Sequence, residues 1–265
     1  MHGKNKSFEY VKKIFSYYAK KTNADLFISE SPIFPAPKVD NFNQNLVACL
    51  DKFEIKNLLK KYDRVLYLDA DIVINPWAPN IFDYYPDTSQ IYMLNEGLIL
   101  NRKPEINQIC NAMNDEIAWP KKGFKYPYFN AGVILISKEQ RHFFEKATLD
   151  DIDKFIPVHL FEQTYFNYIL TKYNFNVSPL NKKFNHMGCF GNKSKRMKAF
   201  FMHYAADGFT GKYHRKFDLI IDDYWTFWAP ILNDTIPKEK QTYYKKRKTL
   251  YKYHVPFTIP SLNYF

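Results

Sequence analysis

The stretch Arg64-Val-Leu-Tyr-Leu-Asp-Ala-Asp-Ile-Val-Ile-Asn-Pro-Trp77 decides the architecture. The apolar run 65–68 is too short for a helix, so residues 64–68 read as a buried strand. Asp69 and Asp71 follow at its end. Residues two apart on extended backbone point to the same side, so the two carboxylates converge on one spot. Two like charges that close call for a cation between them. Paired carboxylates are hard oxygen ligands suited to Mg²⁺ or Mn²⁺, and an ion held by few side chains keeps positions open for substrate phosphates. A diphosphate is the natural guest. An EF-hand is excluded, because position six counted from Asp69 is Ile74 instead of Gly and position twelve is Asn80 instead of Glu. The plainer alternative is a solvated turn at a strand end.

Upstream, Phe8, Val11, Ile14, Phe15 and Tyr18 recur at helical spacing behind Ser7, which predicts an amphipathic helix over 8–21. A strand is expected over 25–29. Three prolines in 31–38 make that stretch a surface loop. Phe53, Ile55, Leu58 and Leu59 mark a second helix. Downstream, strands are expected at 90–94, 132–137 and 199–204, with helices at 104–117 and 161–171. The alternation implies an α/β layered architecture with a largely parallel sheet and ligands at the strand ends. Past Trp228 the composition turns to Lys and Tyr, with Lys245-Lys-Arg-Lys248 flanked by Tyr243, Tyr244, Tyr251 and Tyr253. The organisation read from this is a catalytic domain over 1–230 and an appended basic, tyrosine-rich extension over 231–265. That extension either meets an anionic membrane or polyanionic acceptor or packs on the body through its tyrosines.

With 46% apolar and 25% charged residues in 265, the chain has material for one sizeable core, which excludes disorder as the dominant state. None of the 8 glycines forms a G-x-G-x-x-G or G-x-x-x-x-G-K-[ST] pattern, so dinucleotide and P-loop phosphate cradles are excluded. A net charge of +11 favours an anionic partner: nucleic acid, anionic lipid or sugar nucleotide. The three cysteines lie outside any C-x-x-C spacing, which argues against a disulfide framework or zinc knuckle and for a reducing compartment. No apolar stretch approaches the roughly 18 residues of a span, and the opening residues lead into an amphipathic segment instead of a signal core. The expected location is cytoplasmic, with peripheral membrane contact through the extension.

Two further segments pair strand ends with polar residues. In Tyr128-Phe-Asn-Ala-Gly-Val-Ile-Leu-Ile-Ser137, Asn130 supplies an amide and Gly132 permits close backbone approach as an apolar strand begins; a plain turn before a core strand is the alternative. In Met202-His-Tyr-Ala-Ala-Asp-Gly-Phe-Thr-Gly-Lys212, His203 is a third candidate metal ligand and Lys212 a cation for a departing phosphate. The other six histidines have no comparable context.

Four of these features occur together and in order: Tyr-Leu-Asp69-Ala-Asp71, Phe-Asn130-Ala131-Gly132-Val, Glu162-Gln163 opening a helix, and His203-Tyr with a downstream glycine, Gly208, and Lys212. In this the sequence resembles the retaining glycosyltransferases of the GT-A fold, especially family 8, the glycogenin- and lipopolysaccharide-galactosyltransferase-like enzymes, over about residues 8–215. The resemblance implies a Rossmann-like mixed, mainly parallel sheet flanked by helices, and transfer of a sugar from a nucleotide diphosphate such as a UDP-sugar to a glycan, glycolipid or protein acceptor with retention. It implies Asp69, Asp71 and His203 as ligands of Mn²⁺ or Mg²⁺. Lys52, Asn130, Ala131, Gly132, Gly208 and Lys212 fall on the donor side, and Asn95 and Glu96 near donor or acceptor hydroxyls. Gln163 and Glu162 fall near the anomeric carbon, where helix capping is their alternative role. The sequence departs from the family in three respects: the family's opening strand is absent, Glu-Gln stands where Asp-Gln is more usual, and Lys212 lies nine residues after His203.

Two rival functions remain at this level. One is a sugar-nucleotide-binding protein of the same fold without turnover. The other is a nucleic-acid-binding module, suggested by the charge and the Lys/Tyr-rich extension but without any known nucleic-acid motif.

Overall fold

The computed structural model describes residues 1–38, 42–190 and 193–252. Its elements run α1 (Ser7–Lys21), α2 (Ile55–Leu58), β1 (Arg64–Leu68), β2 (Ile72–Ile74), α3 (Ile81–Tyr84), β3 (Ile91–Asn95), α4 (Lys103–Met113) and β4 (Phe129–Ser137), then α5 (His142–Lys146), α6 (Ile152–Phe155), α7 (Phe161–Lys172), β5 (Val177–Pro179), β6 (His186–Met187), β7 (Phe201–His203), α8 (Tyr213–Asp223) and α9 (Gln241–Lys252). The chain divides into two compact units. The first takes Met1–Gly3, Phe27–Asp69 and Ile81–Asn181; the second takes Lys4–Leu26, Ala70–Asn80 and the chain from Lys182 onward. A break at 230/231 is not part of that division, and the described part of 231–265 belongs to the second unit.

The first unit is built on a mixed sheet in the order β1-β4-β3-β5. Both β1 and β3 pair antiparallel with β4, while β5 pairs parallel with β3. Thus β1, β3 and β5 run one way and β4 is reversed between two of them, so the ladders are less parallel than expected. The α/β architecture with flanking helices stands. Ile91, Met93, Ile134 and Ile136 share one buried cluster with α7, where every residue from Phe161 to Leu170 is buried. A helix enclosed on all sides loses its polar stripe. Phe53, Phe155 and Tyr165 stack beside it, the last two with ring centroids 4.3 Å apart. Burial pushes the Tyr165 hydroxyl up to about 12.

Several element boundaries differ from the sequence reading for local reasons. β4 begins at Phe129 instead of residue 132, because Phe129 and Asn130 pair with Asn95 and Leu94 across a bulge. Asn130, Ala131 and Gly132 are therefore strand residues, not a turn. α4 stops at Met113, where Asn114 takes a left-handed cap with φ of 48°. Residues 44–54 form 3-10 turns, so the second helix shortens to α2. No strand forms over 25–29, and Leu26 and Phe27 stand exposed without a ladder.

The second unit carries the sheet β2-β7-β6, with β2 antiparallel and β6 parallel to β7. α1 lies on β2 and α8 through Val11, Ile14, Phe15 and Tyr18, all buried as its spacing requires. The Trp228 indole donates to the Ile74 carbonyl at 2.9 Å. The basic extension is not a free appendage. Arg247 is 2% exposed and donates to Asp223 Oδ1 at 2.6 Å, while Tyr243 and Tyr244 donate to Asp222. Lys245, Lys246 and Lys248 face outward, and Tyr253 with the rest of 253–265 lies outside the described residues. No helix among the described residues is long and apolar enough to cross a membrane.

Asp223 is fully buried and also accepts from Arg196 Nη2 at 2.7 Å and from the Tyr204 hydroxyl. Burial opposes its ionisation, yet Arg196 and Arg247 outweigh burial and hold the carboxyl below its usual value. A depressed folded value adds stability above the ordinary Asp value of about 4 that is lost as pH falls through the folded value. Arg247→Met strips one of the partners from a buried carboxylate and is expected to destabilise by about 3 kcal/mol at pH 7. Urea unfolding at pH 7 and below pH 4 tests this, with the gap from wild type expected to shrink in acid.

Candidate active site

The segment after β1 is anchored before any side chain is considered: the Asp69 backbone N–H donates to the Gly132 carbonyl at 2.9 Å, which ties the end of β1 to the start of β4. Asp69 Oδ1 then accepts from the Tyr67 hydroxyl at 2.9 Å and faces Lys52 Nζ at 3.3 Å. Lys52 comes from the 3-10 turns Gln44–Glu54, its side chain is 3% exposed, and it donates to Glu162 Oε1 at 2.6 Å. Burial alone would lower the Lys52 ammonium, but the carboxylates of Asp69 and Glu162 raise it well above the ordinary value. Burial, with Asp69 alongside, also holds the Tyr67 hydroxyl protonated.

Glu162 and Gln163 occupy the first turn of α7. The residue before the helix, Leu160, has φ of 55°, a left-handed conformation that is costly for a branched side chain. Neither Glu162 nor Gln163 caps the helix. Glu162 meets Lys52, and Gln163 Oε1 accepts from the Ala131 N–H at 3.0 Å and from Asn130 Nδ2 at 3.1 Å. Asn130 Oδ1 accepts from the Gly132 N–H at 2.9 Å. Glu96, 1% exposed, accepts from Gln163 Nε2 at 3.1 Å and from Asn130 Nδ2 at 3.0 Å. Asn95 points back to the chain, its Oδ1 accepting from the Tyr128 N–H at 3.2 Å.

In the second unit, Asp71 Oδ2 lies 2.8 Å from Lys216 Nζ and its Oδ1 lies 3.3 Å from His203 Nε2. His203 sits at the end of β7, opposite Ile72 in the ladder with β2, which sets it beside Asp71. Burial would raise the Asp71 carboxyl, but His203 and Lys216 prevail and hold it far below the usual carboxylate range. His203 Nδ1 meets Asn185 Oδ1 at 2.8 Å. An amide oxygen only accepts, so Nδ1 carries a proton toward Asn185, while Nε2 is the ring atom that faces Asp71.

One ligand atom from each of Asp69, Asp71 and His203 lies within 4.8 Å of the others. Ligands of one ion at about 2.1 Å lie about 3 Å apart when adjacent and about 4.2 Å apart when opposite, the scale of this grouping. Two carboxylate oxygens and a neutral imidazole suit Mn²⁺ or Mg²⁺. The donor set fits such an ion.

The lysine at this cluster is Lys216, not Lys212. Lys212 is exposed at the start of α8, whereas Lys216, one helical turn on, is 4% exposed beside Asp71. Gly208 has φ of 61°, and a Cβ there would stand 3.1 Å from Lys216 Cβ, so its contribution to the cluster is to let that helix approach. Lys216 and Asn185 were not evident from sequence. Lys212 stands on extended backbone just before α8 and Lys216 inside it, and the sequence pattern alone does not tell which of the two is buried.

The sequence profile of glycosyl transferase family 8 matches residues 3–208. The fold is that of the GT-A glycosyltransferases, an α/β enzyme class. Within that class, the chain belongs to glycosyl transferase family 8. Solved structures agree at the level of fold. A glycosyltransferase involved in the glycosylation of the major capsid of PBCV-1 aligns with TM-score 0.54 and 14% identity over 82% of this chain and 94% of its own. The galactosyltransferase LgtC, in complex with donor and acceptor sugar analogs, aligns with TM-score 0.51 and 14% identity over 91% of this chain and 98% of its own. No curated protein matches the sequence.

The Lys52 bridge gives a direct test. Lys52→Met leaves Asp69 and Glu162 without their shared cation and is expected to destabilise by about 3 kcal/mol. Adding Glu162→Gln should recover part of the loss, a positive coupling readable in a denaturation double-mutant cycle.

Proposed function

We propose that this family 8 glycosyltransferase moves a sugar from a UDP-sugar to a hydroxyl of a glycan, glycolipid or protein acceptor, with a divalent ion, Mn²⁺ or Mg²⁺, and with retention of configuration. The observation that carries this reading is the grouping of Asp69, Asp71 and His203 within 4.8 Å, with His203 Nδ1 turned to Asn185 and Nε2 to Asp71. In it, Asp69, Asp71 and His203 hold the ion, and the ion when bound supplies Lewis-acid charge opposite the departing diphosphate. Lys216 adds a fixed ammonium 2.8 Å from Asp71, able to meet phosphate charge that develops as the glycosidic bond breaks. Lys52 stands between Asp69 and Glu162 and offsets one of their two charges, which lowers their repulsion of the diphosphate. The Asn130-Ala131-Gly132 backbone lies beside Asp69, and the Gly132 carbonyl holds the Asp69 N–H. Donor contacts from Asn130, Ala131, Gly132, Gly208 and Glu96 belong to the same proposal.

Release of UDP from a panel of UDP-sugars, with and without Mn²⁺, tests the reading. At a hundredfold excess over Kd, a specific donor stabilises by about 2.7 kcal/mol, seen as a rise of roughly 5–10 °C in Tm that depends on Mn²⁺. Asp69→Asn is the probe of choice, since Lys52 keeps Glu162 at 2.6 Å when the Asp69 charge is removed. It is expected to lower Mn²⁺-dependent UDP release at least a hundredfold with the fold retained. Donor binding without UDP release would assign the chain to the non-catalytic alternative, and anomeric analysis of the product by NMR decides retention.

A further inference from the structure

Glu96 holds two amides at once, and what holds Glu96 is Arg102. The Arg102 guanidinium, on the residue before α4, meets Glu96 Oε1 through Nε at 2.8 Å and Nη2 at 2.7 Å, and reaches Glu105 Oε1 through Nη1 at 3.0 Å. Glu105 Oε1 in turn lies 2.9 Å from His159 Nδ1, and the guanidinium stands over the Tyr128 ring at 5.5 Å. The side chain of Glu96 is 2% exposed and that of Arg102 15%, so solvent screens this pair little.

The consequence reaches Gln163 and Asn130 through hydrogen-bond polarity. A backbone N–H only donates, so the Ala131 N–H forces the oxygen of Gln163 toward β4, and the Gly132 N–H forces the oxygen of Asn130. The nitrogens of both amides then face Glu96, whose carboxylate only accepts. Each amide is pinned between a donor on one side and Glu96 on the other. The oxygen of Gln163 accepts from both Ala131 and Asn130. Both contacts hold the oxygen of Gln163 at the entry to β4.

We propose that Arg102 is a positioning residue, which by holding Glu96 in place fixes the amides of Gln163 and Asn130, and with them the Asn130-Ala131-Gly132 backbone, in a single arrangement. The proposal deepens the glycosyl-transfer reading and rests on it for its kinetic part. Displacing a positioned group by about an ångström costs about a hundredfold in rate. Arg102→Met should therefore lower kcat 10- to 100-fold for the UDP-sugar that the wild type turns over, leaving KM and the Mn²⁺-dependent affinity for UDP within about threefold. Arg102→Lys keeps the charge but not the forked geometry and should fall between the two. Millimolar guanidinium chloride should restore part of the rate to Arg102→Ala.

A readout independent of turnover is backbone hydrogen exchange. The Ala131 and Gly132 amides should exchange at least tenfold faster in Arg102→Met, while amides in the β1–β4 ladder keep their protection. Unchanged kcat and unchanged exchange in a folded variant overturn the proposal, as does a loss of rate that tracks a uniform loss of protection across the sheet. If Arg102→Met fails to fold, the same measurements on Arg102→Lys support or overturn the proposal by the same outcomes. If the wild type releases no UDP from any donor, the glycosyl-transfer reading fails, and local exchange at Ala131 and Gly132 still decides whether Arg102 fixes the amides.

Discussion

Neutralising two carboxylates at the end of one short strand is the constraint on which the rest depends. Asp69 and Asp71 are separated by one alanine, and neither could be held half-buried without opposite charge nearby. The chain meets this need separately for each. Asp69 receives Lys52, brought from the turns before α2, and Asp71 receives Lys216 and His203, brought from α8 and β7. The segment 69–71 is therefore held by residues from distant parts of the sequence. Each carboxylate is met by a lysine, and His203 stands beside Asp71 as well.

Around Gln163 the polar groups are satisfied almost completely, which is how a buried polar network becomes rigid instead of costly. Glu96 alone accepts from Arg102, Asn130 and Gln163. Alternative orientations of either amide would set oxygen against oxygen or nitrogen against a backbone donor. The αL conformation of Leu160 places the start of α7 where this network needs it, and local strain of that kind persists because the surrounding contacts overdetermine it. The second unit uses the same principle for stability: Asp223, with Arg196, Arg247 and Tyr204 around it, fastens α9 to α8.

Much of this was legible in the amino-acid order. The run 64–68 gave β1 to the residue, the spacing of Phe8, Val11, Ile14, Phe15 and Tyr18 gave α1, and Glu162-Gln163 was placed at a helix start, as found. Asp69, Asp71 and His203 could be grouped because each follows an apolar strand, and strand ends are where α/β folds collect polar groups. The sense of β4 was not legible, since a buried strand reads the same in either direction. The fate of the basic extension was likewise hidden: Arg247 lies within a run of four basic residues, and its burial depends on Asp223, twenty-four positions earlier.

The sequence by itself determined where the strands end and which acidic and imidazole groups stand there, because short-range periodicity and backbone geometry suffice for both. The tertiary structure alone decided which cations answer those acids. Lys216 instead of Lys212, Lys52 between two carboxylates, and Arg102 behind Glu96 are choices made by packing, where four residues separate an exposed lysine on extended backbone from a buried one inside α8 and no local pattern records the difference.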